Sequence, residues 1–173
     1  MLRNPQWSKT TRVTVNGKAV EACEGYIKIH RVWKDDDVIE MKLDMRTEAV
    51  SPTPYGTDIL MNNVIWEHNY VVPTFDREDP LAKNHIALRR GPLMLALDNR
   101  LGIKADSPAS IEADKDGYVN AVIPETDTAP YKHILEVCIP TKDNSCFRVT
   151  DYASAGKLWT EESKMAVWIR TQP

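Results

Sequence analysis

The sequence predicts an all-β protein: an antiparallel β-sandwich, built as one or two small sandwich or jelly-roll-like units, with one long irregular excursion. Three observations predict it. Apolar and polar residues alternate with period two, as in Val13 and Val15 against Arg12 and Thr14, or Ile39, Met41, Leu43 and Met45 against Glu40, Lys42 and Asp44. That period puts one face of a strand on a core. Turn chemistry punctuates the alternation at the spacing of short strands. No heptad or repeat runs through the chain, and only Ser154 to Lys164 offers room for a helical turn or two.

Taken in order, Arg12–Val15 is a strand that meets Asn16-Gly17. That dipeptide is a two-residue hairpin signal, because a type I′ turn needs positive φ at both central positions. Ile27, Ile29 and Trp33 alternate with Tyr26, Lys28 and His30, which places Trp33 on the core face. Asp35-Asp36-Asp37 then reads as a turn before the 39–45 strand, so residues 10 to 46 form a small antiparallel meander.

Residues 47 to 84 break the pattern. Pro52, Pro54, Pro73 and Pro80 exclude a regular central strand. Tyr55, Trp66, Tyr70 and Phe75 make the stretch too aromatic for a solvated tether. It is expected to lie across a neighbouring surface, with Trp66, Tyr70 and Phe75 as sugar or interface contacts and Trp66 as the best sugar platform. Alternation returns at Ile86 and Leu88, then Leu93, Leu95 and Leu97, interrupted at Gly91-Pro92. Further strands are expected at 118–123, 133–139, 146–151 and 164–170, with Trp168 opposite the core face.

Composition narrows the function classes. The 173 residues suffice for one β-rich domain or two small ones, and 42% are hydrophobic. A net charge of -3 supplies no field to recruit nucleic acid or an anionic membrane. No apolar run approaches the roughly 20 residues of a membrane helix. Cys23, Cys138 and Cys146 are odd in number and lack a Cys-x-x-Cys pair. Cys138 and Cys146 could bridge a hairpin; three reduced thiols is the reading preferred. With no apolar leader core after Met1, it favours the cytoplasm slightly.

The search for chemistry returns no catalytic, cofactor-binding or metal residue. Asp35-Asp36-Asp37 lacks the spaced oxygen ligands of a calcium loop. His68, Asp76, Glu78 and His85 match no ligand spacing. A glycosidase needs two placed carboxyl groups, and among 25 acidic residues Glu67 and Asp76 are merely the least poor pair. No cofactor is expected. Trp7, Trp33, Trp66, Trp159 and Trp168 are the residues able to stack on sugar rings.

Several ordered blocks carry a resemblance. Leu2-Arg3-Asn4-Pro5-Gln6-Trp7-Ser8, Val13-Thr14-Val15-Asn16-Gly17, Gly25-Tyr26, Trp33-Lys34-Asp35-Asp36-Asp37-Val38-Ile39-Glu40 and Ala87-Leu88-Arg89-Arg90-Gly91-Pro92-Leu93 resemble glycoside hydrolase family 127, the bacterial beta-L-arabinofuranosidase-like enzymes. Asp151-Tyr152-Ala153-Ser154-Ala155-Gly156-Lys157 and Val167-Trp168 are similar to the family's closing segment. Asn4, where the family is usually apolar, and Asp36, in place of a turn glycine, are departures.

The resemblance implies a C-terminal β-sandwich region whose (α/α)6 barrel, with the catalytic glutamate and zinc-bound cysteines, lies outside this chain. No catalytic residue is carried over. On this reading residues 1–46 are the remainder of a first β-sandwich, 47–84 the connection, and 85–173 a second sandwich. The piece is expected to be truncated, exposing a strand edge. The partners it implies are a helical-barrel catalytic domain, a second copy of the chain and a plant-type glycan, with no nucleic acid and no membrane. A free-standing carbohydrate-binding module using exposed tryptophans is the alternative.

Overall fold

The computed structural model describes residues 1–52, 84–102, 107–141, 145–161 and 163–171. Within them the named strands all pair antiparallel and no α-helix occurs. No helix is long and apolar enough to cross a membrane.

The first part contains β1 (Leu2–Asn4), β2 (Arg12–Val15), β3 (Lys18–Val20), β4 (Gly25–Ile27) and β5 (Ile39–Lys42). β2 pairs with β3 on one side and β5 on the other, in the register Val13↔Val20 and Val13↔Met41. Asn16 and Gly17, at φ 49° and 75°, make the tight turn their identities predict. The inward set of β2 follows the alternation, with Val13 and Val15 buried. β1 pairs with β4 in a separate two-stranded ribbon. Asn4, the polar departure, is accommodated by hydrogen bonds: its Oδ1 accepts from Thr11 Oγ1 at 2.6 Å and its Nδ2 donates to the Cys23 carbonyl at 2.9 Å.

Trp33 departs from expectation. Ile27 is buried, but β4 ends there and Trp33 is 45% exposed, its ring 5.2 Å from the Arg31 guanidinium. Without continued pairing after Ile27 the two-residue period no longer fixes a face, so Trp33 does not reach the core.

The larger sheet takes β6 (Thr47–Val50), β7 (His85–Arg90), β8 (Leu93–Asp98), β9 (Tyr118–Val119), β10 (Glu136–Pro140) and β11 (Cys146–Asp151), in the order β10-β11-β8-β7-β6-β9. β6 thus draws the first residues of the 47–84 stretch into the sheet. β7 and β8 form a hairpin through Gly91-Pro92, pairing Arg90↔Leu93 to Leu88↔Leu95. Beyond those pairs the C-terminal strands β12 (Met165–Ala166) and β13 (Ile169–Arg170) add on, through Ala166↔Leu97 and Ile169↔Ile86. The interruption at Val167-Trp168 lets one segment serve both arms of the hairpin, and it leaves Trp168 exposed while Ile169 is buried.

The main core gathers Leu88, Leu95 and Leu97 with Val137, Ile139, Phe147, Val149 and Ile169, all at most 2% exposed. Removing each such side chain from water contributes about 1.5–3 kcal/mol. In β8 every residue from Leu95 to Asp98 is buried, so both faces of this strand are covered, as a sandwich-like fold requires.

The cysteine reading is corrected. Cys138 and Cys146 are joined in a disulfide across the β10–β11 hairpin, with Cα atoms 5.5 Å apart, and Cys23 alone is a free thiol. Antiparallel pairing brings the two sulfurs together, a proximity that sequence separation does not reveal. The argument for the cytoplasm from reduced thiols therefore falls away.

Candidate functional site

An open cleft of about 810 Å3 lies between the β5–β6 connection, the end of β7 and the segment 112–121. Its lining mixes charged and hydrogen-bonding groups with apolar ones such as Leu43, Met45 and Val119. Arg46 forks onto Asp44, with Nε 2.9 Å from Oδ1 and Nη2 2.6 Å from Oδ2. Arg46 also lies over the Tyr118 ring, 3.6 Å from its centroid, in a cation–π contact. The Arg46 contact holds the Asp44 carboxyl below the usual range, and Asp44 in turn raises the guanidinium. Asp114 closes the 114–117 turn, its Oδ1 accepting from the amides of Asp116 and Tyr118 at 2.9 Å each. Arg90, last residue of β7, donates from Nη1 to the Thr47 hydroxyl at 3.0 Å. Gly91, at φ 56°, sets the turn that follows, so tightly that a Cβ there would fall 2.8 Å from Met45 Sδ and 3.3 Å from Trp7 Cζ3.

Three carboxylates are buried deep in the large sheet and held by donors, although Asp151 Oδ1 has no hydrogen-bond partner among the described residues. Asp98, at the end of β8, receives Arg100 as a fork and the Tyr131 hydroxyl at 2.7 Å. Burial alone would raise its pKa, but Arg100 and Tyr131 outweigh burial and bring it to about 2. Glu136 accepts from the amides of Thr128 and Ala129, the Thr128 hydroxyl and Arg148. Asp151 Oδ2 accepts from the amides of Ile134 and Leu135 at 2.9 and 3.2 Å. Burial opposes ionisation in both, and the donors win, so both carboxyls titrate below their ordinary values. A catalytic acid needs the reverse, a carboxyl kept protonated near neutral pH.

Asp127, His133 and Glu136 converge closely enough to suggest a metal site. The donor set does not fit one. Glu136 already accepts four hydrogen bonds, one of them from the Arg148 cation, which an incoming metal ion would have to displace. His133 Nδ1 lies 3.1 Å from the Tyr131 carbonyl, and Nε2 faces Asp127 Oδ1 at 3.4 Å, an arrangement suited to holding the 127–136 loop.

Of the residues singled out in the sequence, Trp66, Tyr70 and Phe75 lie outside the described residues, as do Glu67, His68, Asp76 and Glu78. Asp37 does not present a calcium loop: its carboxylate is taken by the Lys34 amide, Arg31 and Asn16. Trp33, Trp159 and Trp168 are exposed by 45, 58 and 48%. The cleft residues Arg46, Arg90 and Tyr118 were not singled out as site residues. A usable signal was the adjacent pair Arg89-Arg90, which a strand must send to opposite faces.

The fold is that of a β-rich part of a glycoside hydrolase. A solved structure described as a glycoside hydrolase matches 99% of this chain over 27% of its own, with TM-score 0.56 and 20% identity. Residues 1–45 match the family described as beta-L-arabinofuranosidase, GH127 middle domain, so the likeness to glycoside hydrolase family 127 holds. Also similar are a GH127 beta-L-arabinofuranosidase from Geobacillus stearothermophilus T6, at TM-score 0.49 and 20% identity over 98% of this chain and 26% of that one, and a GH127 beta-arabinofuranosidase, at TM-score 0.44 and 17% identity over 94% and 23%. The chain therefore spans about a quarter of the length of these structures. No curated protein matches it in sequence.

Proposed function

We propose that this chain is a non-catalytic accessory region of a glycoside hydrolase of the beta-L-arabinofuranosidase-like kind, which braces a helical-barrel catalytic domain. The family match over residues 1–45 supports the parentage. One observation supports the non-catalytic role: Asp98, Glu136 and Asp151, the buried carboxylates of the large sheet, are all held ionised by structural donors rather than poised to give up a proton. The role asks for no cofactor of its own. The test is hydrolysis of an aryl beta-L-arabinofuranoside by the purified chain, alone and mixed with the helical barrel of a family member. No turnover by the chain alone, together with a higher melting temperature of the barrel in the mixture, is expected. Turnover by the chain alone would overturn the reading.

A second reading, a carbohydrate-binding module for plant-type glycans, draws on the exposure of Trp33, Trp159 and Trp168. Quenching of tryptophan fluorescence by arabinan, lost when these three residues are replaced by alanine, would favour it.

A further inference from the structure

Four arginines among the described residues are half-buried: Arg89, Arg90, Arg100 and Arg148. Three have a carboxylate partner, namely Glu48, Asp98 and Glu136. Arg90 has none. Its hydrogen-bonding partner is the neutral hydroxyl of Thr47, which occupies one of its five N–H donors. Burial lowers its pKa, and no carboxylate among the described residues restores it, whereas Asp98 raises the pKa of Arg100. A guanidinium taken partly out of water without a counter-charge is unfavourable, and an incoming anion would relieve it.

Arg90 lines the open cleft beside Thr47 and Tyr118. It ends a strand paired to β6 and β8 and precedes the Gly91 turn, which packs against Met45 and Trp7. The acids on the same cleft are Asp44, Glu112 and Asp114. Asp44 is paired with Arg46, Asp114 keeps its charge while its Oδ1 accepts from two turn amides, and Glu112 is not free of interactions. Beside these charges the cleft carries neutral hydrogen-bonding groups, from Thr10, Thr47, Tyr118 and Asn120. A volume of about 810 Å3 is within the range of small-molecule sites.

We propose that this cleft binds a carboxylate carried on a hydroxylated ring, a uronic-acid-type sugar, with Arg90 pairing the carboxylate and the neutral wall taking hydroxyls. An arginine fork matches a carboxylate in two parallel hydrogen bonds, and the surrounding hydroxyl and amide groups both donate and accept, as sugar hydroxyls do. The site uses none of the exposed tryptophans and stands apart from the accessory role.

The test is a titration of the full chain, followed by amide and arginine NMR resonances, with D-glucuronate and D-galacturonate, using glucose and acetate as controls. Saturable shifts at Arg90, Thr47 and Asn120 with a uronate, and none with glucose, are expected. Arg90→Gln should weaken binding by about tenfold or more, since a charge-assisted pair is lost. Asn120 is exposed, so Asn120→Ala keeps the fold and should weaken uronate binding severalfold, even if Arg90→Gln fails to fold. Equal shifts with glucose and glucuronate, acetate binding as tightly as glucuronate, or unchanged binding in Asn120→Ala would each overturn the proposal. So would an aspartate-rich peptide that binds more tightly than either uronate, because the cleft would then be a protein contact.

Discussion

Tyr131 reaches across 33 residues of sequence to donate its hydroxyl to Asp98 at 2.7 Å, inside a pocket also closed by Arg100. The Arg100 guanidinium lies 4.6 Å from the Tyr131 ring centroid and donates onward to the carbonyls of Lys157 and Leu158. One buried carboxylate thereby ties β8, the 131–134 loop and the 152–158 turns together. Burial, then Asp98, pushes the Tyr131 hydroxyl above its ordinary range, so it donates at every working pH.

This cluster sets an acid limit. The folded pKa of Asp98, about 2, lies below the ordinary 3.8, so its stabilisation is fully present above about pH 4 and is lost as pH falls through about 2. The shift corresponds to about 2 kcal/mol. Urea denaturation at pH 7 and pH 3 should show about half of this loss for the native chain and a smaller one for Asp98→Asn. Tyr131→Phe should cost about 1–2 kcal/mol at pH 7, as a buried acceptor loses one donor.

Glu136 is a second anchor, with a side chain fully shielded from water and paired to Arg148. Glu136→Gln would leave Arg148 without its counter-charge and disturb the Thr128 and Ala129 amides. A loss of about 3 kcal/mol is expected, measured by chemical denaturation. Arg148→Met, which strips the carboxylate of its cation, should cost a similar amount.

Gly91→Ala should destabilise the chain by about 1–2 kcal/mol, because the φ of 56° disfavours any side chain. Met45 can swing aside, so most of the cost is backbone strain. Met45→Ala in the same background should recover little, as read from the shift in denaturation midpoint.

The disulfide predicts a thiol count. Unfolded without reductant, the chain should present one reactive thiol, from Cys23, and three after reduction. Closing a loop with a sequence separation of 8 contributes about 2–3 kcal/mol on the chain-entropy scale. Replacing both cysteines by serine should lower the urea midpoint accordingly.

The elements legible in the sequence are those specified within a few residues. Asn16-Gly17 dictates its own turn, and Cys146–Asp151 is a strand over the 146–151 span its pattern marks. The strand expected at 164–170 is instead two short pairs broken at Val167-Trp168, because each pairs with a different arm of the β7–β8 hairpin. The strand expected at 118–123 shrinks to Tyr118–Val119, where pairing with β6 runs out.

Alternation, turn residues and the ordered family blocks thus determined the all-β class and the likeness to family 127, because they depend on neighbours along the chain. The tertiary structure alone decided which charges are buried and paired. Asp98 meets Tyr131, Glu136 meets Arg148, and Arg90 meets no carboxylate among the described residues, and none of these follows from residue type. The physical reason is that a charge's cost depends on what lies within a few ångströms in space, and strand register sets that across separations no local pattern encodes.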